Sequence, residues 1–309
     1  MTAHRTQFVP SRRHVIAFAS ALSASAVLPA HAASTMPTRK IPKTGEALPV
    51  IGLGSSKAVS QIGTDGPGAL TEVLRTLAAH GGKVIDTWPR NPENDAKFGQ
   101  IINTPELRSR LFITSKIDRV GKDEGIAQFR EAQKAYDRKT LDLMQIFSLT
   151  DLATHWPTLR AIKDAGEARY IGATVSEDKL HDQLEAFLRK ESPDFVQTNY
   201  SITERKSEAK ILPLVQEKGV AIMINRPFMN GAYFSKLQGK PLPAWASEFD
   251  CKTWAEFSLK YILAHPAVTC VLTETADAKH MAENAMTASG RLPDAAQRKR
   301  MAAYIDEVL

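Results

Sequence analysis

The chain has 309 residues, of which 43% are hydrophobic, so it can bury the core of one large α/β domain or of two small ones. Lys and Arg number 40 against 34 Asp and Glu, which gives a net charge of +6, and the basic residues are scattered with no stripe of basic and aromatic side chains. This weak and dispersed charge argues against a nucleic acid as the partner.

The first 32 residues show the features of an export signal in the right order. They contain three arginines and no acidic residue. Ser11–Ile16 resembles the twin-arginine signal, an apolar stretch follows at Val15–Leu28, and Ala30–Ala32 is a small-x-small cleavage site. We expect residues 1–32 to be a twin-arginine signal peptide that directs a bacterial protein to the periplasm, with 33–309 as the mature domain. The alternative is a disordered, alanine-rich tail.

Cleavage of this signal would lower the net charge of the protein. Because three arginines would be lost, 37 basic residues would stand against 34 acidic ones, a net charge of +3. The apolar stretch of the signal is too short to span a bilayer. We therefore expect no stable membrane association after cleavage.

Short apolar runs alternate with helical patterns along the rest of the chain. The runs are nearly continuous in apolar character, as is typical of strands buried on both faces of a parallel sheet. The predicted strands are Val50–Leu53, Lys83–Thr87, Leu111–Lys116, Leu141–Phe147, Tyr170–Thr174, Phe195–Thr198, Val220–Asn225 and Val268–Leu272. The predicted helices are Gly68–Ala79, Asp123–Tyr136, His155–Ala165, Glu177–Lys190, Ser207–Lys218 and Thr253–Ala264. Eight such units predict an α/β fold, the closed (β/α)8 TIM barrel.

An open, doubly wound sheet is the alternative fold. It would require a glycine-rich phosphate-binding turn after the first strand. The segment Gly52–Ser56 has two glycines but lacks the third one of that motif. The closed barrel is therefore favoured.

The segment Asp86–Gly99 resembles the signature of the aldo/keto reductase family, in which an aspartate-threonine pair follows the second barrel strand. Six further segments resemble the family in the same order, over residues 37 to 290: Lys43–Gly54, Phe112–Lys116, Leu141–Ile146, Arg169–Gly172, Val196–Ser201 and His280–Asn284. The resemblance implies a (β/α)8 barrel with an amino-terminal β-hairpin. It also implies NADPH-linked carbonyl reduction, in which a tyrosine donates the proton, a lysine-aspartate pair lowers the pKa of that tyrosine, and a histidine orients the carbonyl.

The resemblance assigns the four catalytic positions to Asp86, Asn91, Lys116 and Phe147. Asp86 and Lys116 match the family's aspartate and lysine, but Asn91 stands in place of the tyrosine and Phe147 in place of the histidine. Asparagine has no proton to give up near neutral pH. We expect Asp86 and Lys116 to face each other at the barrel mouth, either as part of a catalytic site or as a structural ion pair, and we expect carbonyl reduction to be slow.

The positions that would hold the nicotinamide of the cofactor are also altered. Gln197 matches the family glutamine, but Thr174-Val175 replaces a Ser-Asn pair and Asn225 replaces the aromatic ring that stacks on the nicotinamide. The neighbouring Arg226 ends the seventh strand. It is interpreted either as a rim residue or as a ligand for an anionic substrate or a phosphate.

The adenosine end of the cofactor site carries an unfavourable charge. Glu283 and Asn284 match the family's adenine-binding positions. Near the adenosine phosphate, however, Glu274 precedes Thr275, and His280 can replace the usual arginine only when it is protonated. Because a carboxylate repels a phosphate, we expect NADPH to bind weakly or not at all.

Three functions are compatible with this set of residues. The first is an exported reductase in which another group, such as Tyr200 or a water molecule, supplies the proton. The second is a catalytically degenerate barrel that binds a small carbonyl or anionic molecule, or a protein. The third is a site in which the Lys116 amine attacks carbonyl substrates, which would require a lowered pKa.

Cysteine and histidine usage gives no sign of a metal site. The eight histidines show no zinc-ligand spacing. Of the two cysteines, Cys270 lies in an apolar strand and Cys251 precedes a helix. A buried Cys270 and a free Cys251 are favoured over a disulfide, although an oxidising compartment permits pairing.

Overall fold

A computed structural model describes residues 36–309, in which eight parallel strands close a barrel. The strands are β3 (Ile51–Gly54), β4 (Val84–Asp86), β5 (Phe112–Ile117), β6 (Leu141–Phe147), β7 (Ala168–Thr174), β8 (Phe195–Asn199), β9 (Ala221–Asn225) and β10 (Cys270–Thr273). Each strand pairs with its neighbour in chain order, and β10 closes the ring on β3. The predicted closed barrel is confirmed, and the open doubly wound sheet is wrong.

Helices fill the connections between the strands. They are α1 (Ser56–Ser60), α2 (Ile62–Asp65), α3 (Gly68–Ala79), α4 (Pro92–Ile102), α5 (Lys122–Ala135), α6 (Leu152–Asp164), α7 (His181–Lys190), α8 (Ile211–Lys218), α9 (Ala232–Leu237), α10 (Trp254–Leu263), α11 (Ala278–Thr287) and α12 (Ala295–Val308). Single 3₁₀ segments lie at Asp178–Leu180, Lys206–Glu208, Met229–Gly231 and Ala244–Phe249. None of the helices in 36–309 is long and apolar enough to cross a membrane.

An antiparallel hairpin precedes the barrel, as predicted. It consists of β1 (Thr38–Lys40) and β2 (Ala47–Pro49), which pair with Arg39 opposite Leu48. Leu48 and the turn residue Ile41 are fully buried, in one apolar cluster with residues from the starts of the barrel strands. The hairpin therefore covers the amino-terminal end of the barrel and leaves the carboxyl-terminal end open for a site.

The packing tyrosine Tyr170 lies in this same cluster. Its ring centroid is 5.9 Å from that of Phe112 and 5.4 Å from that of Phe195. Tyr170 therefore packs within this apolar cluster.

The sequence patterns did not predict several helices, of which α4 and α12 are the longest. In α4 the first turn is polar, and the buried apolar stripe is limited to Phe98, Ile101 and Ile102. In α12 only Met301 and Ile305 are buried. A narrow apolar stripe gives a weak helical period, which explains why both were missed.

Both cysteines are buried free thiols, as favoured by the sequence. Burial raises the pKa of the Cys251 thiol to about 12. The twin-arginine signal predicted at residues 1–32 lies outside the described residues.

Candidate functional site

A cavity of about 820 Å³ opens at the carboxyl-terminal ends of the barrel strands. This main cavity is lined by most of the residues singled out in the sequence: Asp86, Lys116, Phe147, Thr174, Gln197, Asn225, Arg226, Thr275 and His280. They come from β4 to β9 and from the segment after β10. The carboxyl-terminal end of a (β/α)8 barrel is where active sites lie, so this cavity is the candidate site.

Asp86 and Lys116 form a buried ion pair in this cavity. The Lys116 Nζ atom lies 2.7 Å from Asp86 Oδ2, and the two side chains are 2% and 8% exposed. The prediction that they face each other is confirmed. Burial lowers the pKa of the Lys116 ammonium, and the Asp86 carboxylate opposes this shift.

Two neighbouring strands hold the Asp86 carboxylate in place. The Thr114 hydroxyl donates to Asp86 Oδ1, and Gln145 Nε2 lies 3.5 Å from the same oxygen. Thr114 and Lys116 are two residues apart on β5, so both point to the barrel interior. The sequence analysis missed Thr114 and Gln145. The alternation of side-chain directions along β5 and β6 could have pointed to them, because every second residue of a strand faces the same side.

Aromatic rings cover the Lys116 ammonium. Lys116 Nζ lies 4.3 Å from the centroid of the Trp88 ring, and the Trp88 and Phe147 rings are 5.0 Å apart. The guanidinium carbon of Arg90 lies 3.8 Å from the same Trp88 ring. A cation is attracted to the face of an indole. Trp88 is therefore a direct partner of the ion pair.

Asn91, which occupies the sequence position of the family tyrosine, is not among the lining residues of the main cavity. Its side-chain oxygen accepts hydrogen bonds from the backbone N–H groups of Glu93 and Asn94, at 3.0 and 3.1 Å. Asn91 is thus the N-cap of α4, followed by Pro92 at the first helical position. The Asn91 side chain therefore caps a helix, while its place in the chain as the counterpart of the family tyrosine stays a prediction.

Tyr200, considered as a substitute acid, lies outside the cavity as well. It is fully buried and hydrogen-bonded to Glu208 and Arg298. Burial raises its pKa far above the ordinary value for a tyrosine. Tyr200 anchors α12 to the barrel wall and cannot reach a substrate at the mouth.

Two amide side chains at the mouth carry unpaired polar atoms. Thr174 donates to Gln197 Oε1, and Asn225 Nδ2 donates to the Val175 carbonyl at 2.9 Å. Within residues 36–309, this leaves Gln197 Nε2 and Asn225 Oδ1 buried and without a hydrogen-bond partner. An unpaired buried donor beside an unpaired acceptor is suited to an amide or a carboxyl group of a ligand.

Arg226 lies beside these amides in an uncommon backbone conformation. Its φ of 53° is in the left-handed region, which a non-glycine residue adopts at a cost. Its Nη1 atom donates to the Ser176 carbonyl at 2.7 Å, while Nη2 lies 3.8 Å from Glu204 Oε1. Burial raises the pKa of Glu204. Arg226 is held at the rim by these contacts with one edge facing the cavity.

A second cavity of about 480 Å³ adjoins the main one. The two share Phe228, Phe234, Glu274, Thr275 and His280, and the second cavity also contains Glu283 and Asn284, which the sequence assigned to the adenine end. All eight residues assigned to a cofactor therefore lie along one continuous groove.

The charges along this groove are predominantly negative. The main cavity is lined by three basic side chains, Lys57, Lys116 and Arg226, against four acidic ones, Asp86, Glu177, Glu274 and Asp277, a net charge of −1 with His280 counted as uncharged. The described lining of the second cavity contains two glutamates and neither Lys nor Arg. Such a groove disfavours polyanions.

The Glu274 carboxylate lies at the junction of the two cavities. Its Oε1 atom accepts the backbone N–H of Lys57 at 3.1 Å, which fixes its position. In the same segment after β10, the Asp277 carboxylate caps α11 by accepting the N–H of Lys279 at 2.7 Å. The positive end of the α11 dipole is therefore already matched by a carboxylate.

An eight-stranded parallel barrel with a buried aspartate-lysine pair at its carboxyl-terminal mouth defines a narrow structural class. Residues 50–304 match the Aldo/keto reductase family, and the chain belongs to that family. No curated protein matches the chain significantly in sequence.

Solved structures share the same fold. An aldo-keto reductase from Bacillus halodurans in its holo form is 18% identical, with a TM-score of 0.70 over 87% of this chain and 96% of that chain. An aldo-keto reductase from Klebsiella pneumoniae in complex with NADPH is 17% identical, with a TM-score of 0.71 over 87% of this chain and 95% of that chain. At these identities the likeness shows the barrel fold.

The phosphate end of NADPH does not fit the described residues of this groove. A 2′-phosphate requires cations, but Glu274 stands at the junction and the second cavity has no Lys or Arg in its described lining. The nicotinamide end fits better, because Gln197 Nε2 is free to bind a carboxamide oxygen. Asn225, however, offers no ring for stacking.

Proposed function

We propose that this exported member of the aldo/keto reductase family binds a small carbonyl or carboxyl ligand at the barrel mouth and does not efficiently reduce carbonyls with NADPH. One observation carries the proposal. The Asp86–Lys116 pair lines the main cavity, and no tyrosine occurs among the described lining residues. Without a positioned acid, the hydride acceptor would have no proton source of suitable pKa.

The two rings beside the ion pair support the proposal that the site lacks a proton donor. Trp88 lies over Lys116 Nζ, and Phe147 lies against Trp88. Neither side chain can protonate an alkoxide. The ion pair and the aromatic wall instead form a preorganised pocket, whose ammonium can attract the oxygen of a bound carbonyl or carboxyl group.

The ligand's polar group would also meet the free amide atoms of the mouth. Gln197 Nε2 can donate to a carbonyl or carboxylate oxygen, and the Arg226 guanidinium at the rim supplies positive charge. A small monoanion is compatible with this local charge, whereas an extended polyanion would also meet Glu274.

The cofactor part of the proposal is tested by titrating the purified full chain with NADPH and measuring the binding by calorimetry or by nucleotide fluorescence. We expect weak or undetectable binding, and we expect Glu274→Lys to strengthen it at least tenfold, because it replaces repulsion by attraction. The matched control is Glu248→Lys, the same charge change at a site that lines neither cavity. Submicromolar NADPH binding by the unmodified chain would refute the proposal.

A second candidate function is an NADH- or NADPH-linked reductase with a displaced acid. It is favoured by the unpaired Gln197 Nε2 atom, which suits the carboxamide of a nicotinamide. The Klebsiella structure contains NADPH on the same fold. The same titration carried out with NADH distinguishes the two functions, because tight NADH binding with aldehyde turnover would favour the reductase.

Export to the bacterial periplasm through the twin-arginine route is the second part of the proposal. Its support is the arginine pair Arg12-Arg13 ahead of the apolar stretch and the Ala30–Ala32 cleavage site. Replacement of both arginines by lysine should leave unprocessed precursor in the cytoplasm. Immunoblotting of cell fractions measures the processing. Unchanged processing of the Arg12→Lys, Arg13→Lys variant would refute this route.

A further inference from the structure

The second cavity combines aromatic rings with carboxylates. Its wall contains three aromatic residues, Phe228, Phe234 and Trp254. The Phe228 and Phe234 ring centroids are 5.0 Å apart. Faces of aromatic rings attract cations, and the attraction is strongest for tryptophan.

The carboxylates of this cavity form no salt bridge within the described residues, and Glu274 interacts with the Lys116 ammonium only beyond salt-bridge distance. In the described part of the chain, neither Glu274 nor Glu283 has a Lys, Arg or His nitrogen within salt-bridge distance. This differs from Glu93, Glu131 and Glu167, each of which forms an ion pair on the outside of the barrel. Two unpaired carboxylates beside three rings provide a negative potential that an external cation can occupy.

A polar side chain in the cavity lining also has free hydrogen-bonding capacity. Asn284 is 6% exposed as a residue and lines the second cavity. Its amide is not among the described polar atoms that are buried without a partner, so the amide atoms are accessible from the cavity. The Asn284 amide can therefore bind a polar group of a ligand, independently of the two carboxylates.

An anion is a poor occupant of this cavity. The N-terminal end of α11 would ordinarily attract one. Here the Asp277 carboxylate accepts the backbone N–H of Lys279, and hydrogen bonds from Lys279 and His280 keep the pKa of Asp277 low. The helix end is thus already occupied by a negative charge.

We propose that the second cavity is a binding site for a small organic cation, a substituted ammonium with a hydroxyl or other polar group. Phe228, Phe234 and Trp254 would surround the ammonium, and Glu274 and Glu283 would balance its charge. The Asn284 amide would bind the polar group. The volume of about 480 Å³ lies in the range of small-molecule sites. The proposal rests on the proposed function, because the adenosine of NADPH would fill the same space if the nucleotide bound.

The test uses choline chloride as the probe and the full chain as the receptor, with binding followed by calorimetry and by tryptophan fluorescence. The control ligand is 3,3-dimethyl-1-butanol, which has nearly the same shape but no charge. We expect choline to bind at least tenfold more tightly than the neutral alcohol, since only choline gains the cation–π and carboxylate attraction. Equal binding of the two, or no binding of choline, would overturn the proposal.

Conservative variants test whether choline binds in the second cavity. Glu274→Gln and Glu283→Gln should each weaken choline binding about tenfold, because each removes one charge from a partly desolvated site. The control Glu248→Gln, at a surface position outside both cavities, should leave binding unchanged. Circular dichroism of each variant confirms folding. Unchanged choline affinity in both folded cavity variants would overturn the assignment.

NADPH titration of the same samples separates the two proposals. Weak NADPH binding with no choline binding would contradict the cation site alone. Tight NADPH binding together with carboxylate-dependent choline binding would contradict the proposed function but support the cation site. Tight NADPH binding without choline binding would contradict both.

Discussion

At the scale of single residues, the ion pair between Asp86 and Lys116 dominates the barrel mouth. Both side chains are almost fully buried, and Trp88, Thr114 and Gln145 complete their surroundings. A buried charge is tolerated only when a partner compensates it. Removal of one partner alone would therefore leave the other as an uncompensated buried charge.

We predict that breaking this pair from one side is costly. Asp86→Asn leaves the Lys116 ammonium buried without its counter-charge and should lower the free energy of unfolding by about 3 kcal/mol. The double variant Asp86→Asn, Lys116→Met should lose less than that single variant, because no uncompensated charge remains. Urea denaturation of the unmodified protein, of the single variants Asp86→Asn and Lys116→Met, and of the double variant measures this coupling. If the losses of the two single variants simply add, the side chains are not coupled.

His265 should make the stability of the protein depend on pH. Burial and the neighbouring Arg298 lower the pKa of His265 from 6.5 to about 4, while Glu208 opposes the shift. The neutral ring accepts the backbone N–H of Ala267 through Nδ1. In the unfolded chain the histidine takes up a proton at higher pH than in the folded one, so stability is lost as pH falls from 6.5 towards 4.

The expected loss is about 1 kcal/mol, because the imidazole is only partly buried and solvent screens the shift. His265→Gln should reduce the fall in the free energy of unfolding over that pH range. Thermal denaturation of both proteins at pH 7 and near pH 4.5 measures the difference. Parallel pH profiles for the two proteins would show that His265 does not contribute.

At the scale of secondary-structure elements, α4 shows how closely the outer helices pack. A Cβ atom on Gly99 would lie 2.0 Å from the carbonyl oxygen of Ala135, at the end of α5. The absence of a side chain at Gly99 therefore sets the distance between α4 and α5. The same approach brings Phe98 into edge contact with Tyr136, at 5.5 Å between ring centroids.

We predict that Gly99→Ala lowers the free energy of unfolding by about 1 to 3 kcal/mol, because the added methyl group must push two helices apart. The matched control is Gly68→Ala in α3, where an added Cβ has no atom within 4 Å. That change should be neutral or stabilise by up to about 1 kcal/mol. Equal effects of the two substitutions in urea denaturation would contradict the packing argument.

The strands could be predicted from the sequence more fully than the helices. A strand buried on both faces is mostly apolar, and β6 (Leu141–Phe147), with Asp142 and Gln145 as its polar exceptions, was predicted with its observed bounds. The helix α4 has a narrow apolar stripe and begins at a proline, and its pattern was overlooked. The sequence Asn91-Pro92-Glu93 nevertheless contains an N-cap followed by proline, which is a helix-start signal.

The candidate site could be predicted in part. The positions of Asp86 and Lys116 at the ends of β4 and β5 were enough to place them close together, because adjacent parallel strands end at the same edge; in the observed register Asp86 pairs with Thr114, two residues before Lys116. Spacing alone could not show that Tyr200 points away from the barrel interior. That direction depends on the side-chain rotamer and on long-range contacts that no local pattern reports.

At the scale of the whole molecule, the aldo/keto reductase barrel provides two adjoining cavities and the buried aspartate-lysine pair. The described lining of the main cavity contains no tyrosine, and the described linings of both cavities carry more acidic than basic side chains. Under the proposed function, we infer that this barrel holds a ligand other than NADPH.

The most direct test of this inference is NADPH oxidation by the purified full chain with a small aromatic aldehyde. We predict turnover near background, because loss of a positioned acid alone costs a factor of about 10² to 10⁴ in rate. The change Asn91→Tyr with Phe147→His should not restore turnover until Glu274→Lys and Asn225→Tyr repair the cofactor groove as well. Robust, aldehyde-dependent turnover by the unmodified chain would contradict the proposed loss of carbonyl reduction.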